Sequence, residues 1–215
     1  LDLEKIEKKI DKYTFYSCLS SRTFNLNNSI IFCPLFELIN HDNSSLPYKL
    51  NKNGVTSPNY DPFQGELTIS YGLNQSSLKS FLQYHFFTKK KNVFSLPFAI
   101  DLKNSDFKFV CNGKDINLNK IISLKKEQNK LIIEGFPITN SENKDLPFEY
   151  FQKIKKSIER YNNIPNDLFK IIINYNLLLR QKIFQELKYV NNQTSKNFSK
   201  ALEYEINLIT SNTIN

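Results

Sequence analysis

The side chains best suited to chemistry are few, and most of them lie in the first half of this chain. The only histidines, His41 and His85, are not at a metal-ligand spacing and belong to no recognisable Ser-His-Asp order. The three cysteines, Cys18, Cys33 and Cys111, are isolated in sequence, so they indicate neither a zinc site nor a disulfide framework. The five glycines form no phosphate-binding loop. We therefore expect no metal centre.

The charge of the chain is basic but poor in arginine. Among 215 residues, 29 lysines and arginines face 21 aspartates and glutamates, a net charge of +8. Arginine, whose planar guanidinium group binds phosphates and bases through paired hydrogen bonds, occurs only at Arg22, Arg160 and Arg180. The other cations are lysines, which, together with abundant asparagine, are typical of an AT-rich genome. The composition therefore disfavours a nucleic-acid partner.

Hydropathy and cysteine usage bear on the compartment. No apolar run approaches the ~20 residues that cross a bilayer, and no signal peptide is visible. Unpaired cysteines favour a reducing compartment. We therefore expect an intracellular protein, cytoplasmic or nuclear, with no membrane partner. The sequence does not predict its oligomeric state.

Hydrophobic periodicity predicts an α+β fold in two parts, with a boundary near the lysine run 89–91. Strands and helices are both expected in the first part. In chain order, these are a helix over 2–20, a buried strand ahead of Pro34, an irregular loop over 41–64, a strand over 65–72 and a helix over 77–87.

The second part begins with short strands and ends with three amphipathic helices. The expected strands cover 93–100, 106–111 and 131–133, and the helices run from a cap at Asp145 to 161, from 165 to 190, and from 195 onward. The apolar stripe of the middle helix is expected to include Leu168, Ile172 and Tyr175. These helices must bury their stripes on one another or on the first part.

Two stretches of the first part are more specific than composition. Residues 34–41 read Pro-Leu-Phe-Glu-Leu-Ile-Asn-His, and residues 65–72 read Gly-Glu-Leu-Thr-Ile-Ser-Tyr-Gly. Upstream, residues 21–24 read Ser-Arg-Thr-Phe. In order and spacing these segments resemble the SET-domain methyltransferases, in the branch typified by the plant Rubisco large-subunit methyltransferase. The resemblance extends over nearly all of the chain.

The resemblance implies a fold for each part. Residues 1–90 would be the C-terminal portion of a β-rich SET domain, with its inserted helical segment, the Asn-His segment and the strand of a catalytic tyrosine. Residues 91–215 would be short strands followed by a three-helix substrate-binding lobe.

The same resemblance implies an S-adenosylmethionine-dependent protein-lysine N-methyltransferase, which transfers a methyl group directly to a side-chain amine of a protein substrate. Such transfer needs alignment and exclusion of water rather than a metal. The implied catalytic residue is Tyr71. The implied cofactor-binding residues are Ser21, Arg22, Glu37, Asn40 and His41, with the guanidinium of Arg22 on the cofactor's carboxylate. The implied substrate-binding residues are Phe24, Phe36, Tyr84 and Phe86, whose aromatic faces can attract an ammonium.

Several departures from the family pattern keep alternatives open. Glu37 replaces an aspartate, Ser76 an asparagine and His85 a glycine. The N-terminal SET strands with their cofactor-cradling glycines are missing, so we expect these residues to supply only part of the cofactor pocket. One alternative is a catalytically incomplete SET-derived interaction module. Another is a protein-histidine methyltransferase, although Phe24 and Phe36 stand where that branch has asparagine and tryptophan.

Overall fold

The computed structural model describes residues 23–26, 29–32, 39–42, 45–52, 54–58, 65–70, 76–84, 87–102, 106–118, 122–158, 167–190 and 193–213. The chain divides into two units. The first comprises Leu1–Leu73 and Leu82–Tyr84, and the second comprises Asn74–Phe81 and His85–Asn215. The helix expected over 2–20 lies outside the described residues.

The described part of the first unit consists of short paired strands. Strands β1 (Thr23–Leu26) and β2 (Ser29–Phe32) form an antiparallel pair. A second antiparallel pair joins β4 (Lys49–Asn51) to β5 (Gly54–Thr56). The third pair is parallel and joins β3 (Asn40–His41) to β6 (Thr68–Ile69).

Two predictions for this unit were wrong in part. The strand before Pro34 is present as β2, but Ile30 is 77% exposed, so the strand is not buried as expected. The region expected to be an irregular loop contains β4 and β5. Gly54 begins β5 with φ 142, a backbone conformation that glycine adopts without strain. The short, polar β4 segment has too little alternation to be recognised as a strand.

The second unit contains a four-stranded mixed sheet. Its strand order is β10-β11-β9-β8, and its only parallel pair joins β11 to β9. The strands are β8 (Phe98–Asp101), β9 (Lys108–Cys111), β10 (Leu124–Glu127) and β11 (Lys130–Ile133). Separately, β7 (Asn92–Phe94) pairs antiparallel with β12 (Pro137–Asn140). The single strand expected over 93–100 is therefore two strands, because Pro97 breaks the run.

Four helices lie in the described residues, as the periodicity predicted. They are α1 (Ser77–Tyr84), α2 (Leu146–Ile158), α3 (Leu168–Leu187) and α4 (Gln193–Thr213). The side chain that caps α2 is Asn143 rather than Asp145, since the Asn143 Oδ1 accepts the N–H groups of Asp145 and Leu146. None of the described helices combines the length and apolarity that a membrane crossing requires.

The core of the second unit lies between its strands and helices α2 to α4. Phe109, Leu131 and Phe136 are fully buried there with Ile154 and Ile172. Helix α3 departs from the expected stripe, since Tyr175 is 40% exposed, whereas the polar Asn176 and Arg180 are buried. The α+β class is thus confirmed, and its assignment to a SET fold stays a prediction.

Candidate functional site

The Asn-His segment and the strand that leads toward Tyr71 are hydrogen-bonded neighbours. In their parallel register, Asn40 pairs with Thr68 and His41 with Ile69. The N–H of Asp42 donates to the Ile69 carbonyl oxygen at 2.9 Å and extends this pairing by one bond. Two segments of the predicted site that have 26 residues between them in sequence therefore pair with each other.

The side chains of Asn40 and His41 have different environments. The His41 Nδ1 lies 3.1 Å from the Ile69 carbonyl oxygen. Because a carbonyl can only accept, this hydrogen bond selects the tautomer that carries its proton on Nδ1. The exposed Asn40 donates from Nδ2 to the carboxylate of Glu66. The Asn40 side chain is thus hydrogen-bonded to the segment that precedes β6.

The chain returns to the same strand after a turn. The Asp42 carbonyl accepts the N–H of Ser45 at 3.3 Å, and the Ser45 Oγ lies 2.6 Å from the Thr68 Oγ1. The Ser70 N–H then donates to the Leu46 carbonyl at 3.2 Å. The residue immediately before Tyr71 is therefore held from this side by the segment that follows the Asn-His pair.

Ser70 also carries an unsatisfied polar atom. Its side chain is buried, and its Oγ has no hydrogen-bond partner in the described part of the chain. A buried hydroxyl left unpaired costs about 1–3 kcal/mol, so native structures rarely retain one without a reason. A polar ligand group would remove this cost.

The other predicted site residues are described only in part. Tyr84 is the last residue of α1 and is partly exposed. The backbone of Phe24 lies in β1, but its side chain is outside the described set. The remaining predicted residues, Ser21, Arg22, Phe36, Glu37, Tyr71 and Phe86, lie outside the described residues. The structure thus brings together Asn40, His41 and the approach to Tyr71.

A second polar cluster, in the second unit, was not anticipated from the sequence. Arg180 and Glu205 form an ion pair, with Arg180 Nε 2.9 Å from Glu205 Oε2, and their side chains are 1% and 0% exposed. Arg180 also donates to the Asn176 Oδ1 at 3.0 Å and to the Phe94 carbonyl at 2.6 Å. Asn176 in turn accepts the Leu96 N–H at 2.8 Å. The network therefore ties helices α3 and α4 to the segment that follows β7.

The same network holds the first turn of α1. The Leu78 N–H donates to the Glu205 Oε1 at 2.7 Å, and the Ser76 N–H donates to the Asp115 carboxylate at 2.6 Å. Negative charge is favourable at a helix N-terminus. Burial raises the pKa of Glu205, opposed by Arg180 and the Leu78 amide. Burial likewise raises the pKa of Asp115, opposed by the Ser76 amide.

One sequence signal could have found this cluster. Leu168, Ile172, Asn176 and Arg180 recur every four residues, so they lie in one row of α3. Asn176 and Arg180 continue the row that Leu168 and Ile172 begin. If this row is buried, polar residues within it must hydrogen-bond to one another or to neighbouring segments, which predicts a buried polar network. Neither residue type identifies Glu205 as the partner, because that residue lies on another helix.

No protein-family model, no curated protein and no solved structure matches this chain. Its function is therefore argued from its own residues.

Proposed function

We propose that this protein is an S-adenosylmethionine-dependent protein-lysine N-methyltransferase. The observation that carries the proposal is the parallel pairing of Asn40–His41 with β6, the strand that ends two residues before Tyr71. The order of motifs in sequence is what suggested a common site. A common site requires these segments to lie next to each other. Short sequence matches that are unrelated to one another would not be expected to pair in the fold.

The unsatisfied Ser70 hydroxyl supports the same proposal from a different direction. It is buried directly after β6, between the paired strand and Tyr71 in sequence. Asn40 and His41 would bind the cofactor largely through backbone groups, since the Asn40 side chain is directed to Glu66. Arg22 would bind the cofactor's carboxylate through its guanidinium fork.

When bound, S-adenosylmethionine supplies an electrophilic methyl group. The protein must align the attacking nitrogen, admit it without its proton and keep water out. Tyr71 would orient the incoming amine through its hydroxyl. Tyr84 and Phe86 would form an aromatic wall for the lysine stem and its ammonium.

The proposal is tested by transfer of a labelled methyl group. The complete gene product is incubated with tritiated S-adenosylmethionine and a protein extract of its source cells, and the labelled protein is hydrolysed to amino acids. We expect the label in methylated lysine. Tyr71→Phe should lower the rate by about 100-fold or more, because misplacing a reacting group costs orders of magnitude.

Two comparisons make this test decisive. Tyr189→Phe removes the same hydroxyl from a side chain that is 89% exposed, and it should leave the rate unchanged. Label in methylhistidine would overturn the choice of lysine. A wild-type rate in Tyr71→Phe, or no labelled protein at all, would overturn the proposed methyl transfer.

A further inference from the structure

Helix α3 has an exposed face that bears three large apolar side chains. Ile171 is 37%, Tyr175 is 40% and Leu178 is 64% exposed. Because they follow one another at intervals of four and three residues, they lie along one side of the helix, away from the buried Asn176 and Arg180. We refer to this side as the outer face of α3. Exposed apolar side chains that adjoin one another are typical of an interaction surface.

The central side chain of the outer face is held in place by the second unit. The Tyr175 hydroxyl donates to the Pro97 carbonyl oxygen at 3.2 Å. The Tyr175 ring also meets the Phe98 ring edge to face, with centroids 6.4 Å apart. Because these contacts already restrict the tyrosine, it loses little conformational freedom when a partner covers its exposed side.

Charged residues of opposite sign lie at the two ends of the outer face. Asp167 directly precedes α3, and Lys182 lies four residues after Leu178. Both are exposed, and neither forms an ion pair within the part of the chain that the structure describes. Asp167 also makes no side-chain hydrogen bond to the N-terminus of the helix. The two charges are therefore available to a partner.

The neighbouring charges of α3 do not belong to the outer face between these ends. Lys170 is turned about 100° around the helix axis from Ile171. Glu186 lies about one turn beyond Lys182, past the end of the segment. The outer face thus consists of an apolar centre with one acidic end and one basic end.

This arrangement is complementary to itself when two copies of α3 run antiparallel. Reversing the helix about the peptide bond 174–175 places Asp167 opposite Lys182 of the partner subunit. The same operation places Ile171 opposite Leu178 of the partner subunit. In a two-fold symmetric interface each of these contacts occurs twice. An unrelated partner would have to supply the matching pattern, whereas a second copy already carries it.

We propose that the outer face of α3 joins two copies of this chain in an antiparallel, two-fold symmetric dimer. The two helices pack about 8–10 Å apart at a small crossing angle. The segment from Asp167 to Lys182 is about 22 Å long, so it buries less than the ~1,200–2,000 Å² of a stable interface. The dimer is therefore weak and reversible, with a Kd of about 10–500 µM.

The proposed interface uses residues of the second unit alone. It stands whether or not the protein transfers methyl groups. Substitutions on the outer face are therefore expected to leave the binding of S-adenosylmethionine unchanged.

Sedimentation equilibrium of the full-length chain tests the dimer, at concentrations from about 5 to 500 µM. We expect the mean mass to rise from that of one chain toward that of two. Leu178→Ser removes an apolar contact twice in the symmetric interface, so it should weaken the dimer about tenfold or more. Lys153→Glu changes the charge at an exposed position on α2 and should weaken it less than about threefold.

Charge reversal tests the antiparallel register. In a dimer of Lys182→Glu two pairs of carboxylates face each other, and in a dimer of Asp167→Lys two pairs of ammonium groups do. Each variant alone should therefore associate about tenfold more weakly than the wild type. A mixture of the two variants regains two pairs of opposite charge, so the mixed dimer should be within about threefold of the wild-type affinity. A fluorophore on the N-terminus of one variant reports the mixed dimer, and circular dichroism confirms that each variant is folded.

The proposal fails if the full-length chain remains monomeric up to about 500 µM. Equal weakening by Leu178→Ser and Lys153→Glu would place the interface elsewhere on the protein. A mixture of Lys182→Glu and Asp167→Lys that associates no more tightly than either variant alone would exclude the antiparallel pairing.

Discussion

Replacing Arg180 by methionine should be the most destabilising single change in the described network. The change keeps an unbranched side chain but removes the partner of a fully buried carboxylate. Glu205 Oε2 and the Phe94 carbonyl each lose the hydrogen bond that Arg180 gives them, whereas Asn176 Oδ1 keeps the Leu96 N–H. Breaking a buried pair in this way costs about 3–5 kcal/mol. That is a large part of the ~5–15 kcal/mol that stabilises a typical domain.

The loss of unfolding free energy in Arg180→Met should depend on pH, and its direction follows from the pKa of Glu205. Burial raises the pKa of Glu205 above its unfolded value, so the folded chain binds this proton more tightly than the unfolded chain. The contribution of this group to stability therefore falls as the pH rises from the unfolded to the folded pKa. Arg180→Met removes the cation that opposes the shift, which raises the pKa further. The deficit of the variant should thus be smallest near pH 5 and should grow toward pH 8.

Urea unfolding followed by circular dichroism at 222 nm measures this deficit, because α2, α3 and α4 all belong to the second unit. Lys91→Met is the control, since it breaks an ion pair with Glu142 that is exposed to solvent, and it should cost under about 1 kcal/mol. The double variant Arg180→Met/Glu205→Leu should recover part of the loss, because no unpaired charge remains. A deficit under about 1 kcal/mol for Arg180→Met, or one independent of pH, would refute this reasoning.

Two further predictions concern the sheet of the second unit. Gly135→Ala would place its Cβ 1.9 Å from the Lys114 carbonyl oxygen, so the backbone must shift at a cost of about 1–3 kcal/mol or more. Urea unfolding measures this loss of stability, and Ser141→Ala, at an exposed position, is the control. Equal unfolding free energies for the two variants would contradict the close contact between Gly135 and Lys114. Burial raises the pKa of Cys111 to about 11, so only about one thiol in a thousand is ionised at pH 8. Its peptide should stay unmodified by iodoacetamide until urea is added, and rapid labelling of the native protein would contradict the burial.

The helices of the second unit could be predicted because each shows a period that matches its buried face. Strands β10 and β12, in contrast, could not be predicted from the sequence. β10 carries one half-buried leucine followed by three exposed residues, and a lysine-rich edge strand has no alternation to recognise. β12 is buried throughout, but its four residues, Pro-Ile-Thr-Asn, contain one large apolar side chain and show no alternation that indicates a strand.

The polar network shows why a periodic stripe is an incomplete guide to a core. Hydrophobicity favoured Tyr175 over Asn176 as the buried residue of α3, yet the structure buries Asn176. The reason is tertiary, since Ser95, Leu96 and Arg180 satisfy its carboxamide. Ser95 and Leu96 lie about 80 residues from Asn176 in sequence, so they cannot be inferred from the pattern of α3 alone.

The residues of the candidate site could be predicted from the sequence, but their arrangement in the fold could not. Asn40, His41 and Tyr71 were singled out by residue type and order. The parallel pairing of Asn40 and His41 with Thr68 and Ile69 depends on the path of the chain between them, which no local pattern specifies. The unsatisfied Ser70 hydroxyl is likewise a property of packing, because a serine in a strand is ordinary in sequence.

The central claim is tested most directly by calorimetric titration of S-adenosylmethionine into the complete gene product. We predict one-to-one binding, weakened about 30- to 150-fold by Arg22→Met, since a charge-assisted bidentate contact is worth roughly 2–3 kcal/mol. Lys182→Met, at an exposed position on α3, should leave the affinity unchanged. An absence of binding at about 1 mM cofactor by the folded protein would contradict the proposed methyltransferase.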